Sequence, residues 1–253
     1  MPIWMWAGIW GILVGAGLLL GALIAYVRPF THNAIATVMA FGGGVLIAVA
    51  SIELMEESYL KGGFLYSAVG LLAGALLFSS INALLAGHGA LRRKRCGGCV
   101  PQPSEQEMPG SGLALAMGSV LDVFPEAIAI GLSLSMGEAV SAAIIGGFFL
   151  ANVPQGLSAT SGMRDAGRSA SFIIGLWVAV TLFSGICAAA GIFIASVLQE
   201  HMAASITAVA AGAILSLLAE ILIPEAFYNG RRFVGVITVF GFLAAYVIIK
   251  ISV

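Results

Sequence analysis

The amino-acid sequence predicts an all-α integral membrane protein: eight transmembrane helices with inverted repeats and both termini outside. Three observations carry this. Apolar residues make up 60% of the chain and charged residues 9%, where soluble domains carry about 25% charge. The apolar residues fall in continuous runs of bilayer-crossing length, not in the alternation of a membrane β-barrel. The Lys and Arg residues sit at the breaks between runs, almost all on one side. The abundance of glycine, 33 residues, suits closely packed membrane helices.

Cutting the chain at charges, prolines and glycine pairs places the spans near 7–27, 34–56, 63–87, 111–135, 139–161, 170–197, 203–226 and 232–252, within a single transmembrane domain. The first run has no N-terminal positive charge and no small-residue cleavage site, so it reads as a retained helix. With the N-terminus outside, nine of the eleven cations face the cytoplasm: Arg28, the Arg92–Arg95 cluster, Arg164, Arg168, Arg231 and Arg232. Lys61 and Lys250 remain outside. This asymmetry sets the expected orientation, in a plasma or inner membrane, with the termini extracytoplasmic. The lipid bilayer is the expected partner. Nucleic acid is excluded, because a net charge of −1 leaves no basic face to neutralise phosphates.

The stretch 88–110 is polar, rich in Pro and Gly, and expected to be a flexible cytoplasmic loop. Its Cys96 and Cys99 have the spacing of half a zinc site, with His88 as a possible loop metal ligand, or they are simply reduced loop cysteines. Cys187 lies inside span six and reads as packing.

The acidic residues inside the spans point to function. Asp122 and Glu126 fall near the middle of span four, Glu53, Glu56 and Glu57 toward the outer end of span two, and Glu220 and Glu225 toward the inner end of span seven. A carboxylate at the bilayer centre costs about 2.5–3.5 kcal/mol or more, so it faces protein or water and finds a partner. No Lys or Arg lies in the middle of any span. Two partners remain for Asp122 and Glu126: protons, with both acids hydrogen-bonded to a neighbouring helix, or a mobile cation gripped between carboxyls spaced i and i+4 on one face. For the shallower Glu53, Glu56 and Glu57 the alternative is a solvated helix end.

Prolines sharpen the pattern. Pro125 frees the carbonyl of Leu121 beside Asp122, and Pro154 frees that of Leu150 beside Asn152 and Gln155. The alternatives are a discontinuous helix that builds an ion site and a plain kink. Asp122-Val123-Phe124-Pro125-Glu126-Ala127 echoes Ala151-Asn152-Val153-Pro154-Gln155-Gly156. Leu54-Met55-Glu56-Glu57-Ser58-Tyr59 echoes Leu222-Ile223-Pro224-Glu225-Ala226-Phe227. Each pair of spans runs in opposite directions, so the repeats are inverted, as in secondary transporters.

These motifs, with AEILIPEA ending span seven, resemble the ZIP (ZRT/IRT-like) family of divalent-metal transporters over nearly the whole chain. The resemblance implies uptake toward the cytoplasm without ATP or another nucleotide, a homodimer, and an elevator-like motion of one helix group against another. In that family the motifs read HNxPEG in span four and roughly QN/DxPEG or HExPHE in span five. Here the motif histidine is Asp122 and its asparagine is Val123, while Ala151 and Gln155 fill the ligand slots of span five. A Glu-Pro of span six, used by members with two metals, is Ser184-Gly185. The implied site is a single all-oxygen one: Asp122, Glu126, Asn152 and Gln155. Glu53 near the entrance and Glu220 near the exit, with Glu57 and Glu225, are candidate relay ligands, and Pro125, Pro154 and Pro224 are candidate kinks. Without imidazole or thiolate such a site leans toward harder cations, Mn²⁺, Mg²⁺ or Fe²⁺ over Zn²⁺ and Cd²⁺. The expected function is secondary transport of a divalent cation of the Mn/Fe/Zn class. The rival readings are a transport-inactive metal-binding or sensing relative and a proton-coupled carrier of another solute. An enzyme is not expected, because the chain has no HExxH and no GxxxxGK[ST] phosphate loop.

Overall fold

The computed structural model describes residues 1–28, 30–90, 102–135, 142–230 and 233–251. Cys96, Cys99 and the Arg92–Arg95 cluster lie outside them. The fold is all-helical, with no strand among the described residues: α1 (Ile3–Val27), α2 (His32–Ala48), α3 (Met55–Ala86), α4 (Ser111–Ser135), α5 (Ala142–Asp165), α6 (Ala170–Val197), α7 (Glu200–Leu217), α8 (Ile223–Gly230) and α9 (Val234–Ile251). Short π-helical segments, Val49–Leu54 and Leu218–Leu222, join α2 to α3 and α7 to α8.

Among the described residues six helices are long and apolar enough to cross a membrane. One of them is a 54-residue run, Asn33–Ala86, which covers predicted spans two and three. It is not a straight rod. At Gly63 the backbone leaves the helix, with φ 73° and ψ 176°, a region open essentially to glycine alone. Across it the Ser58 and Ser67 hydroxyls come within 2.9 Å. In a straight helix nine residues would separate them by about 13 Å, so the chain doubles back here. The predicted gap between the two spans falls at this break. α5 is long enough at 24 residues, but Asn152, Gln155, Ser158, Thr160 and Ser161 lower its hydropathy, and all except Ser161 are buried.

The discontinuous alternative at the prolines is not what forms: α4 and α5 run unbroken through Pro125 and Pro154. An interior proline removes one helical hydrogen bond, and packed neighbours hold the turns on either side. Pro224 is the second residue of α8, which continues directly from the π-helical segment Leu218–Leu222, so the missing N–H falls where the helix changes register.

The helices pack in two groups that touch along α2–α5 and α4–α7. α1 lies along α5 and α6, and α4 along α6; α3 lies along α7, and α2 along α8 and α9 as well as α5. Close backbone approach sets the first group. A Cβ on Gly156 of α5 would stand 2.0 Å from the carbonyl oxygen of Leu18, and one on Gly21 of α1 would stand 2.0 Å from that of Val153. Small residues thus let α1 and α5 touch, the usual way membrane helices gain packing. The hydroxyls of Thr181 and Ser184 on α6 donate to the carbonyls of Gly15 and Gly11 at 3.1 and 2.8 Å. Arg164 at the end of α5 donates to Ala25 O at 2.5 Å.

Candidate functional site

Asp122 and Glu126 lie one turn apart on α4, 3% and 0% exposed. Their i, i+4 spacing puts both carboxyls on one face, and Glu126 on that face meets α5. Asn152 there donates from Nδ2 to Glu126 Oε2 at 2.8 Å and to the Val14 carbonyl of α1 at 3.2 Å. Gln155 Nε2 donates to Asn152 Oδ1 at 3.1 Å. Asn152 and Gln155 are each 1% exposed. The four oxygen-bearing side chains predicted from span four and span five are therefore all buried, with Glu126, Asn152 and Gln155 joined by direct hydrogen bonds. The amides orient the Glu126 carboxylate, because each donor aims the next acceptor.

Among the described residues no three His, Cys, Asp or Glu side chains gather closely enough to hold a metal. The four predicted side chains are two carboxylates and two amides, a donor set of the kind that suits hard cations. Ser184, in the span-six slot, serves packing, with its hydroxyl on Gly11 O.

The other predicted acids separate by burial. Glu57, on the first turn of α3, is buried and bonded to Lys61 and Ser133. Glu53 is half-buried and Glu56 exposed. Glu220 is exposed and accepts from Ser79 and from Asn82 at 2.7 Å, tying the π-helical segment after α7 to α3. Glu225 is buried on α8. His88 is exposed, its Nδ1 3.1 Å from Leu84 O. Its proposed cysteine partners lie outside the described residues.

Sequence reasoning missed the π-helical segments. They contain Glu53 and Glu220 and end at Leu54 and Leu222, the residues that the second echo pairs. π-turns inside helices are frequent at functional sites. The repeat of Leu54-Met55 in Leu222-Ile223 was the available signal, but nothing in the residues themselves indicates the wider turn.

Toward the end of α4 that is expected to be cytoplasmic, Arg168 donates to Glu105 at 2.8 Å, to Ser111 at 2.6 Å and to Pro103 O at 3.1 Å. The Arg168 hydrogen bond and the backbone N–H groups of Gly110 and Gly112 hold the Glu105 carboxyl down at about 2. Gln102, 1% exposed, donates to Ala159 O of α5 at 3.3 Å.

No protein-family model matches the chain, and no curated protein matches it.

Proposed function

We propose that this chain is a secondary carrier of divalent cations that binds one ion at a time among Asp122, Glu126, Asn152 and Gln155. The observation that carries the reading is the pair of fully buried carboxyls one turn apart, one of them oriented by an amide relay from the facing helix. Buried acids in apolar helices mark ion pathways by default, and the oxygen donor set favours Mn²⁺ or Fe²⁺ over Zn²⁺.

The packing supports an elevator-type motion. All four site residues belong to the group of α1, α4, α5 and α6, and α2, α3, α7, α8 and α9 form the other. An apolar crevice of about 180 Å³ opens beside Leu121, Phe124 and Pro125, between α4 and the facing α3 and α7, and leaves room for one side of the seam to shift against the other. Counting α2 with the start of α3 as one span, the remainder of α3 as another, and α5 as a third gives the eight of the ZIP-like plan. The cation asymmetry supports termini outside, and the ZIP-like resemblance implies transport toward the cytoplasm and a homodimer. The altered family slots at Val123, Ala151 and Ser184 favour one alternative, a relative that binds metal without moving it.

Equilibrium binding of Mn²⁺, followed by electron paramagnetic resonance of the purified protein, tests the site. The expected result is one ion per chain, lost in Asp122→Asn and Glu126→Gln. Binding unchanged in both variants contradicts it.

A further inference from the structure

Ser133 lies seven residues beyond Glu126 on α4, two helical turns along the stripe that carries Asp122 and Glu126, and so about 10 Å from Glu126 along the axis. Its hydroxyl, on a residue 1% exposed, donates to Glu57 Oε2 at 2.8 Å. The other carboxylate oxygen of Glu57 takes the Lys61 ammonium at 3.2 Å. Little of this is open to solvent: the Lys61 and Glu57 side chains are 15% and 8% exposed. The contact joins α4 of one helix group to α3 of the other. The α3 side is anchored, because the neighbouring Ser58 donates to Ala204 O of α7 at 2.8 Å. Any displacement of α4 relative to α3 and α7 must therefore break the Ser133–Glu57 bond.

We infer that Glu57, Lys61 and Ser133 form an outer gate over the site, in which the Lys61 ammonium holds the place on Glu57 that an entering divalent cation takes. A divalent cation carries twice the charge of the ammonium and binds oxygen donors directly, so it exchanges onto Glu57 and leaves Lys61 to swing away. Both carboxylate oxygens then bind the cation, the Ser133 hydroxyl is displaced from Glu57, and the tie between the groups is released. This inference rests on the carrier reading for its direction and its cargo.

The test separates the two. Cys96, Cys99 and Cys187 are replaced by alanine, and a cysteine is placed at Ile130, between Glu126 and Ser133. Its labelling by a membrane-impermeant thiol reagent from the outside is then timed. Lys61→Gln and Ser133→Ala are each expected to raise the rate about tenfold, the scale of losing one charge-assisted hydrogen bond, and Lys61→Arg to return it to the starting value. Adding Mn²⁺ to the unsubstituted gate raises the rate in the same sense. Equal rates in all variants overturn the gate, whatever the flux. Absence of Mn²⁺ flux with the labelling pattern intact overturns the carrier reading and leaves the gate standing.

Discussion

The Asn152–Glu126 hydrogen bond distinguishes a cation site from a pair of protonated acids, because its strength depends on the charge of Glu126. A hydrogen bond to a charged group contributes about 1.5–3 kcal/mol, whereas polar bonds between membrane helices average about 0.6 and reach about 1.7 kcal/mol. The 2.8 Å separation and the complete burial of Glu126 place the ionised case at about 2 kcal/mol or more. A double-mutant cycle of Asn152→Ala and Glu126→Leu isolates this term. It is read from unfolding equilibria in mixed micelles, once with Mn²⁺ and once with a chelator. Coupling of about 2 kcal/mol with Mn²⁺, falling toward about 0.6 kcal/mol with the chelator, is expected. The same small coupling in both conditions would refute the idea that a cation keeps Glu126 ionised.

Gly156→Ala and Gly21→Ala, whose new Cβ atoms would lie 2.0 Å from facing carbonyl oxygens, should destabilise the α1–α5 contact by about 3 kcal/mol or more and reduce the yield of monodisperse protein. Gly175→Ala, with nothing within 4 Å of the new atom, should instead be neutral or stabilising by about 0.5–1 kcal/mol; equal behaviour of all three would contradict the packing. The Glu105 carboxyl is held at about 2, below its ordinary 4.5. Its contribution is therefore complete above about pH 4.5 and fades as pH falls from there toward 2. Hydrogen exchange at Gly110 and Gly112, corrected for intrinsic rates, should show protection lost over that window, and lost already at pH 7 in Arg168→Gln. Asp122→His adds an imidazole to an all-oxygen site, so the ratio of Zn²⁺ to Mn²⁺ initial rates should rise; an unchanged ratio removes Asp122 from the first contacts of the ion.

The helices and the residues of the candidate site were legible in the sequence for definite reasons. Continuous apolar runs and the i, i+4 spacing of Asp122 and Glu126 are local properties, readable without the fold. The echo around Pro125 and Pro154 brought Asn152 and Gln155 into the same set, and the structure joins them to Glu126. What was not legible depends on distant backbone. Glu57 reads from sequence as a shallow helix end, yet Ser133, 76 residues away, makes it part of a buried contact. Ser184 falls where the resemblance puts a ligand in some relatives, but the nearness of α1 turns its hydroxyl onto Gly11 O. The π-helical segments at Val49–Leu54 and Leu218–Leu222 reflect main-chain hydrogen-bond register, which no side-chain pattern encodes. The prolines indicated freed carbonyls but not whether the helix breaks, since neighbouring helices decide that.

The central claim is that Asp122 and Glu126 carry a divalent cation across the membrane. Its most direct test is cation flux into proteoliposomes, with Mn²⁺, Fe²⁺, Zn²⁺, Cd²⁺ and Mg²⁺ offered separately, comparing the wild type with a folded Asp122→Ala/Glu126→Ala variant. Saturable, ATP-independent flux, fastest for Mn²⁺ or Fe²⁺ and abolished by the double substitution, is the predicted result. No flux of any cation through folded wild-type protein, or flux that survives the double substitution, would contradict it.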